Sequence, residues 1–165
     1  MSIRRHRVTP FLWYDGQSEE AANHYVSIFK KGSRVTSASP MSVSFELEGQ
    51  PFIALNGGPM YKFTEATSLF VDCKDQTEVD YYWEHLCAGG EPGRCGWLKD
   101  RFGLSWQVIP RALGECLGGK DRAGSQRAME AMLGMRKLDV ARLVAAYAGK
   151  EPAHKAGAGS RKRKR

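Results

Sequence analysis

The sequence predicts an α+β fold: two tandem βαβββ modules forming a curved mixed sheet around a cavity, followed by C-terminal helices. Three observations predict it. Strand-like and helix-like apolar periods alternate in the order strand, helix, hairpin strands, and that order occurs twice. An offset of 57 sets residues 12–32 against 69–89, so that Leu12, Asp15, Tyr25 and Gly32 meet Leu69, Asp72, Tyr82 and Gly89. The chain has 165 residues, which suits one domain; a half of about 50 residues buries too little core to stand alone.

Val8 to Asp15 reads as a strand, rich in β-branched and aromatic residues, with a turn signal behind it. Residues 18–30 read as a helix. Ser18 serves as its N-cap, and Glu19 and Glu20 favour the positive end of the dipole. Ala21, Ala22, Tyr25, Ile28 and Phe29 form its apolar stripe, and Gly32 closes it. Strands follow at 34–39, 42–47 and 52–55, with Glu48-Gly49-Gln50 as a hairpin turn. The pattern restarts with a strand at Ser68 to Asp72. Asp75-Gln-Thr-Glu78 reads as a capping box, and Val79, Tyr82, Trp83 and Leu86 form the second apolar stripe before Gly89-Gly90. Strands at 95–99 and 104–109 flank the turn Asp100-Arg101-Phe102-Gly103. After Pro110 the chain turns helical: 112–117, then a helix capped by Ser125 through Met135, then one capped by Asp139 through Tyr147. Met129, Met132, Leu133 and Met135 make an apolar stripe that packs against the sheet or a partner subunit. The domain therefore spans 8–149, with modules at 8–58 and 67–110 and helices at 111–149. A basic arm precedes it at 1–7, and a basic tail of disordered composition follows at 150–165.

Charge sits at the ends. The formal net charge is +7, yet residues 8–153 carry 16 basic against 18 acidic side chains. The run Arg161 to Arg165 binds polyanions only in a salt-dependent, sequence-blind way, and the folded part lacks the basic–aromatic interleaving of a nucleic-acid surface. No apolar run reaches a membrane span, and the first residues lack the apolar core of a signal peptide, so a cytoplasmic protein is expected. Cys73, Cys87, Cys95 and Cys116 include no C-x-x-C pair and are expected to be reduced thiols. His24 and His85 fall on helices as structural residues, and His6 and His154 lie in the arms.

Four segments carry a family resemblance: Gly49-Gln-Pro-Phe-Ile-Ala-Leu-Asn-Gly-Gly-Pro59, Cys95-Gly-Trp-Leu-Lys-Asp-Arg-Phe-Gly-Leu-Ser-Trp-Gln107, Ala131-Met-Leu-Gly-Met-Arg-Lys-Leu-Asp139 and the helix 18–30. With the duplicated order of elements, they resemble the vicinal oxygen chelate superfamily of glyoxalase I, extradiol dioxygenases and bleomycin- and fosfomycin-resistance proteins. Within it, the chain is similar to the PhnB-like group, often described as 3-demethylubiquinone-9 3-methyltransferase. One departure is local. Relatives carry a longer Gly-rich stretch between the second and third strands, where this chain has Thr36 to Ser42.

The resemblance implies a divalent metal held by His and Glu on the inner strand faces. This chain offers Thr9, Phe11 and Trp13 on the first strand, and Ser68 and Phe70 on the restart strand. It offers Gln107 on the last, where metal-binding relatives commonly have Glu, and Ile53 as its counterpart in the first half. A single amide makes no complete metal site, so no metal and no cofactor are expected. Asp100 and Arg101 read as turn residues. Trp13, Asn56, Phe70, Trp97 and Gln107 are the expected lining of a ligand cavity, with Trp106 on the face opposite Gln107. A methyl-donor fold would carry a Gly-rich turn after its first strand, and Asp15-Gly16-Gln17-Ser18 lacks that pattern. The expected function is small-molecule binding by a homodimer. The alternatives are a metal-dependent lyase or isomerase, the methyltransferase of the family's description, and polyanion binding through the tail.

Overall fold

The computed structural model describes residues 7–150, so the basic segments at 1–6 and 151–165 lie outside the described residues. The first module runs β1 (Phe11–Tyr14), α1 (Ser18–Phe29), β2 (Arg34–Ala38), β3 (Ser42–Leu47) and β4 (Gln50–Asn56). The second runs β5 (Ser68–Cys73), α2 (Gln76–Cys87), β6 (Glu91–Pro92), β7 (Trp97–Lys99) and β8 (Ser105–Pro110). Three helices follow, α3 (Arg111–Leu117), α4 (Arg122–Leu133) and α5 (Val140–Tyr147).

The tandem modules are those the sequence predicts, and their topologies match. In the first, β1 lies parallel to β4, and β4, β3 and β2 continue antiparallel. In the second, β5 lies parallel to β8, and β8, β7 and β6 continue antiparallel. The eight strands divide into two four-stranded sheets rather than one continuous sheet. The reason is where the helices go. Tyr25 of α1 packs on Phe45 of its own sheet and on Trp106 of the other. Phe29 stacks on Tyr82 of α2 and on Trp106. Tyr81 of α2 donates to the carbonyl of Ile28, 2.9 Å away. The helix-bearing faces therefore turn toward each other, and one aromatic core fills the space between them. β1 and β5 remain at the sheet edges.

Several local expectations shift. Gln17, not Ser18, occupies the cap position of α1 and makes no side-chain cap bond. The Ser18 N–H instead donates to Asn56 Oδ1 at 2.9 Å, so the cap arrives from a residue 38 positions away. Asp75 and Glu78 do cap α2: Asp75 accepts from the Glu78 N–H, and Glu78 accepts from the Lys74 N–H. β7 is shorter than expected because Cys95 and Gly96 both take positive φ, which an extended strand excludes. The two-residue β6 had no signal, since Glu91-Pro92 is a strand only as an edge partner of β7. α4 starts at Arg122 under an Asp121 cap, three residues before the expected Ser125. Leu113, Met135, Leu138 and Leu143 form a second core that docks α3 to α5 on Ile109. Met135 of the predicted stripe is buried there, while Met129 and Leu133 are exposed.

Candidate functional site

Alternation along each strand sends one set of side chains into the helical layer and the other to the outer sheet face. On β8, Trp106 and Val108 go into the helical layer, leaving Gln107 on the outer face; alternation predicts that it opposes Trp106, but the expected inner position of Gln107 is not the one found. The register places Gln107 directly between Trp97 of β7 and Phe70 of β5. These three predicted residues form one row across the sheet. Phe70 leaves 60% of its surface exposed. Gln107 Nε2 donates to Ser68 Oγ at 2.8 Å, which fixes the amide in the middle of the row. The next row on the same face is Ser68, Ser105 and Lys99. Lys99 Nζ pairs with Glu65 Oε1 at 2.6 Å, and this partner holds the Glu65 carboxyl below its ordinary pKa. A cavity of about 150 Å³ lies at this corner, lined by Glu65, Glu91, Trp97, Lys99 and Ser105.

Trp13 and Asn56 do not join this row. They sit on the other sheet, at the ends of β1 and β4. Trp13 Nε1 donates to the Gly58 carbonyl at 2.8 Å, and Tyr61 meets the indole edge-on. A Cβ at Gly57 would lie 2.2 Å from the Trp13 ring, so only glycine lets the loop cross so closely. Asn56 uses both ends of its amide structurally. Its Oδ1 takes the Ser18 N–H, and its Nδ2 donates to the Pro40 carbonyl. Asn56 thereby braces α1 and the β2–β3 connection.

Asp100 is the residue whose place the sequence left least defined. It is 3% exposed and points inward, away from Arg101, which pairs with Glu20. Its Oδ1 accepts the N–H groups of Phe102 and Leu104. Its Oδ2 accepts Tyr25 Oη at 2.7 Å and Trp106 Nε1 at 2.8 Å. Burial pushes the Tyr25 and Tyr14 phenols above their ordinary range, and the Asp100 charge adds to this. This is an anchor between modules and has no open face toward a ligand. The Asp-x-x-Gly turn was the only sequence signal for it.

A larger cleft, about 640 Å³, runs along the free edge of β5 between the modules, with Phe29, Leu69 and Tyr82 on its floor. Its two cations are closed pairs, Lys74 with Glu78 and Arg111 with Asp72. Burial raises the pKa of the Cys87 and Cys116 thiols and pushes that of Cys73 up to about 12, which disfavours their thiolates. The outer row presents an amide and two aromatic rings beside a lysine, a donor set that does not fit a divalent cation. Among the described residues, no three His, Cys, Asp or Glu converge, and no helix is long and apolar enough to cross a membrane.

The family model described as 3-demethylubiquinone-9 3-methyltransferase matches residues 6–109. A solved structure, a putative 3-demethylubiquinone-9 3-methyltransferase and PhnB protein from Bacillus cereus, is similar with 29% identity and a TM-score of 0.58, over 64% of this chain and 99% of its own. Protein PA1353 from Pseudomonas aeruginosa is similar in fold, with 17% identity and a TM-score of 0.51, over 62% of this chain and 95% of its own. A glyoxalase/bleomycin resistance protein from Albidiferax ferrireducens T118 is also found, at 13% identity and a TM-score of 0.47, over 61% of this chain and 95% of its own. No curated protein matches. The helices α3 to α5 lie beyond the end of the family match.

Proposed function

From the premise that the chain belongs to the PhnB-like 3-demethylubiquinone-9 3-methyltransferase family, we propose that it binds a small organic molecule on the outer face of its second sheet. The observation behind this reading is the in-register row Phe70, Gln107 and Trp97, in which two aromatic rings flank one oriented amide beside the part of the face that α3 to α5 cover at Ile109. Apolar area with a few fixed polar groups is the usual composition of a small-molecule site. The reading includes a cytoplasmic homodimer. Phe11 on the first sheet is exposed like Phe70 on the second, and the helices hold these two faces apart within one chain. A second copy brings a first-module face against a second-module face and encloses the ligand. Binding needs no metal in this reading.

The test is a thermal-shift screen of metabolites and antibiotics. A ligand at a hundredfold excess over its Kd adds about 2.7 kcal/mol to stability, a shift of about 5 °C or more in a chain of this size. The shift is expected to disappear in Trp97→Ala and to shrink in Gln107→Ala. A hit whose shift survives both substitutions would place its site elsewhere. Light scattering of the purified protein is expected to report a dimer.

A further inference from the structure

Two rows of the outer face of the second sheet carry Phe70, Gln107 and Trp97, and Ser68, Ser105, Lys99 and Glu91, while Ile109 in the row beyond packs against α3 to α5. Rows two residues apart along a strand are separated by about 6.6 Å, close to the distance between an aromatic ring and an acid group on a short side chain. At the Lys99 corner two features are unexplained by folding alone. The Ser105 hydroxyl is buried, lines the corner cavity and has no hydrogen-bond partner. The Lys99 ammonium is bound by a single exposed carboxylate, Glu65, which belongs to no strand or helix. Buried polar groups left without a partner are costly, and such groups in native folds call for an explanation.

We propose that this corner receives the acid group of an aromatic carboxylate, and that Glu65 is an internal competitor for the same ammonium. The inference rests on the outer-face reading above and names the class of ligand for it. The ligand ring lies on the Trp97–Gln107–Phe70 row. Its carboxylate takes the place of the Glu65 carboxylate on Lys99 and accepts the Ser105 hydroxyl. Glu91 lies opposite Lys99 across the strand pair. It remains in place, and the exchange requires the exposed Glu65 side chain to swing out into solvent as the ligand carboxylate enters, so that the number of carboxylates at the Lys99 ammonium is unchanged. The exchange costs little, because an ion pair as exposed as Lys99–Glu65 is held only weakly against water. An amine-bearing ligand would instead compete with Lys99 itself, whose strand fixes it.

Three probes share one ring and differ in the end group: indole-3-acetate, the neutral indole-3-acetamide and the cationic tryptamine. Calorimetric titration of the full chain is expected to rank the acid first. Lys99→Gln is expected to weaken the acid about tenfold, as a lost charge-assisted bond does, and to leave the amide unchanged. Glu65→Gln is expected to tighten the acid about two- to fivefold, since it removes the competitor. A larger gain in Glu65→Gln than in Glu91→Gln, which removes an equal charge from the same cavity, separates competition for Lys99 from general repulsion, and equal gains would overturn the competitor role. Equal binding of acid and amide, or no response to Glu65→Gln, would overturn the acid assignment while leaving the outer-face site standing, provided Trp97→Ala abolishes binding. Preference for tryptamine would overturn it as well. Failure of all three probes would overturn the assignment, and the outer-face reading would then rest on the open screen alone.

Discussion

Asp100 binds the two modules together through four hydrogen bonds, two from its own turn, one from Trp106 and one from Tyr25 across the module boundary. A buried carboxylate is tolerable only while its acceptors are filled. Asp100→Ala strands Tyr25, Trp106 and two N–H groups at once and is expected to cost about 3–5 kcal/mol. Tyr25→Phe removes one donor and is expected to cost about 1–2 kcal/mol. Urea denaturation of the two variants checks both. If Asp100→Ala costs no more than an exposed substitution, the carboxylate does not hold the modules. His24 gives a second, pH-dependent handle on the same region. Its ring packs against Tyr25 and Phe102, and its Nε2 is buried without a partner. Burial, then the Arg101 charge, lower its pKa, while Asp100 and Glu20 oppose this. The folded chain thus resists a proton that the unfolded chain accepts near the ordinary value of 6.5. The His24 contribution is complete above that pH and is lost as pH falls below it. The Tm is expected to fall between pH 7 and 5, and to fall less in His24→Gln. Glu65 and Glu78, held below 4.5 by their partners, act in a lower window.

Which elements could be read from the sequence follows from how local their causes are. α2 was legible because Asp75 and Glu78 cap it from within four residues. The hairpin at Glu48 and Gly49 was legible because both take positive φ in the turn the sequence signals. That Gln107 opposes Trp106 followed from strand alternation; its row with Phe70 and Trp97 depends on the register between strands, which no local signal gives. The cap of α1 was not legible, since its first N–H is met by Asn56 from the far end of the module. For the same reason nothing in the sequence shows that the Asn56 amide is engaged. Nothing local shows that Gly57 and Gly58 fold onto the Trp13 indole. The pairing of Lys99 with Glu65 joins residues 34 positions apart and left no trace in any motif. Local periodicity assigns a side chain to a face; which face stays open depends on how sheets and helices stack.

That stacking makes the modules interdependent. Within one module α1 would cover its sheet with Tyr25 and Phe29, but the opposite sides of those rings would meet water instead of Trp106. Phe29 and Tyr82 would lose each other, and Tyr81 would lose the Ile28 carbonyl. The inner core is one contiguous cluster containing residues of both sheets and both helices. A module of about 50 residues has little stability to spare for such losses. The full chain is therefore expected to unfold in a single cooperative step. Far-ultraviolet circular dichroism, which reports both modules, and the fluorescence of Trp106 and its neighbours should give coincident urea transitions. A fragment ending at residue 66 is expected to remain unfolded alone. Separate transitions, or a folded fragment, would mean that the modules are stable independently. Asp100 and Trp106 would then join two finished units rather than complete one core.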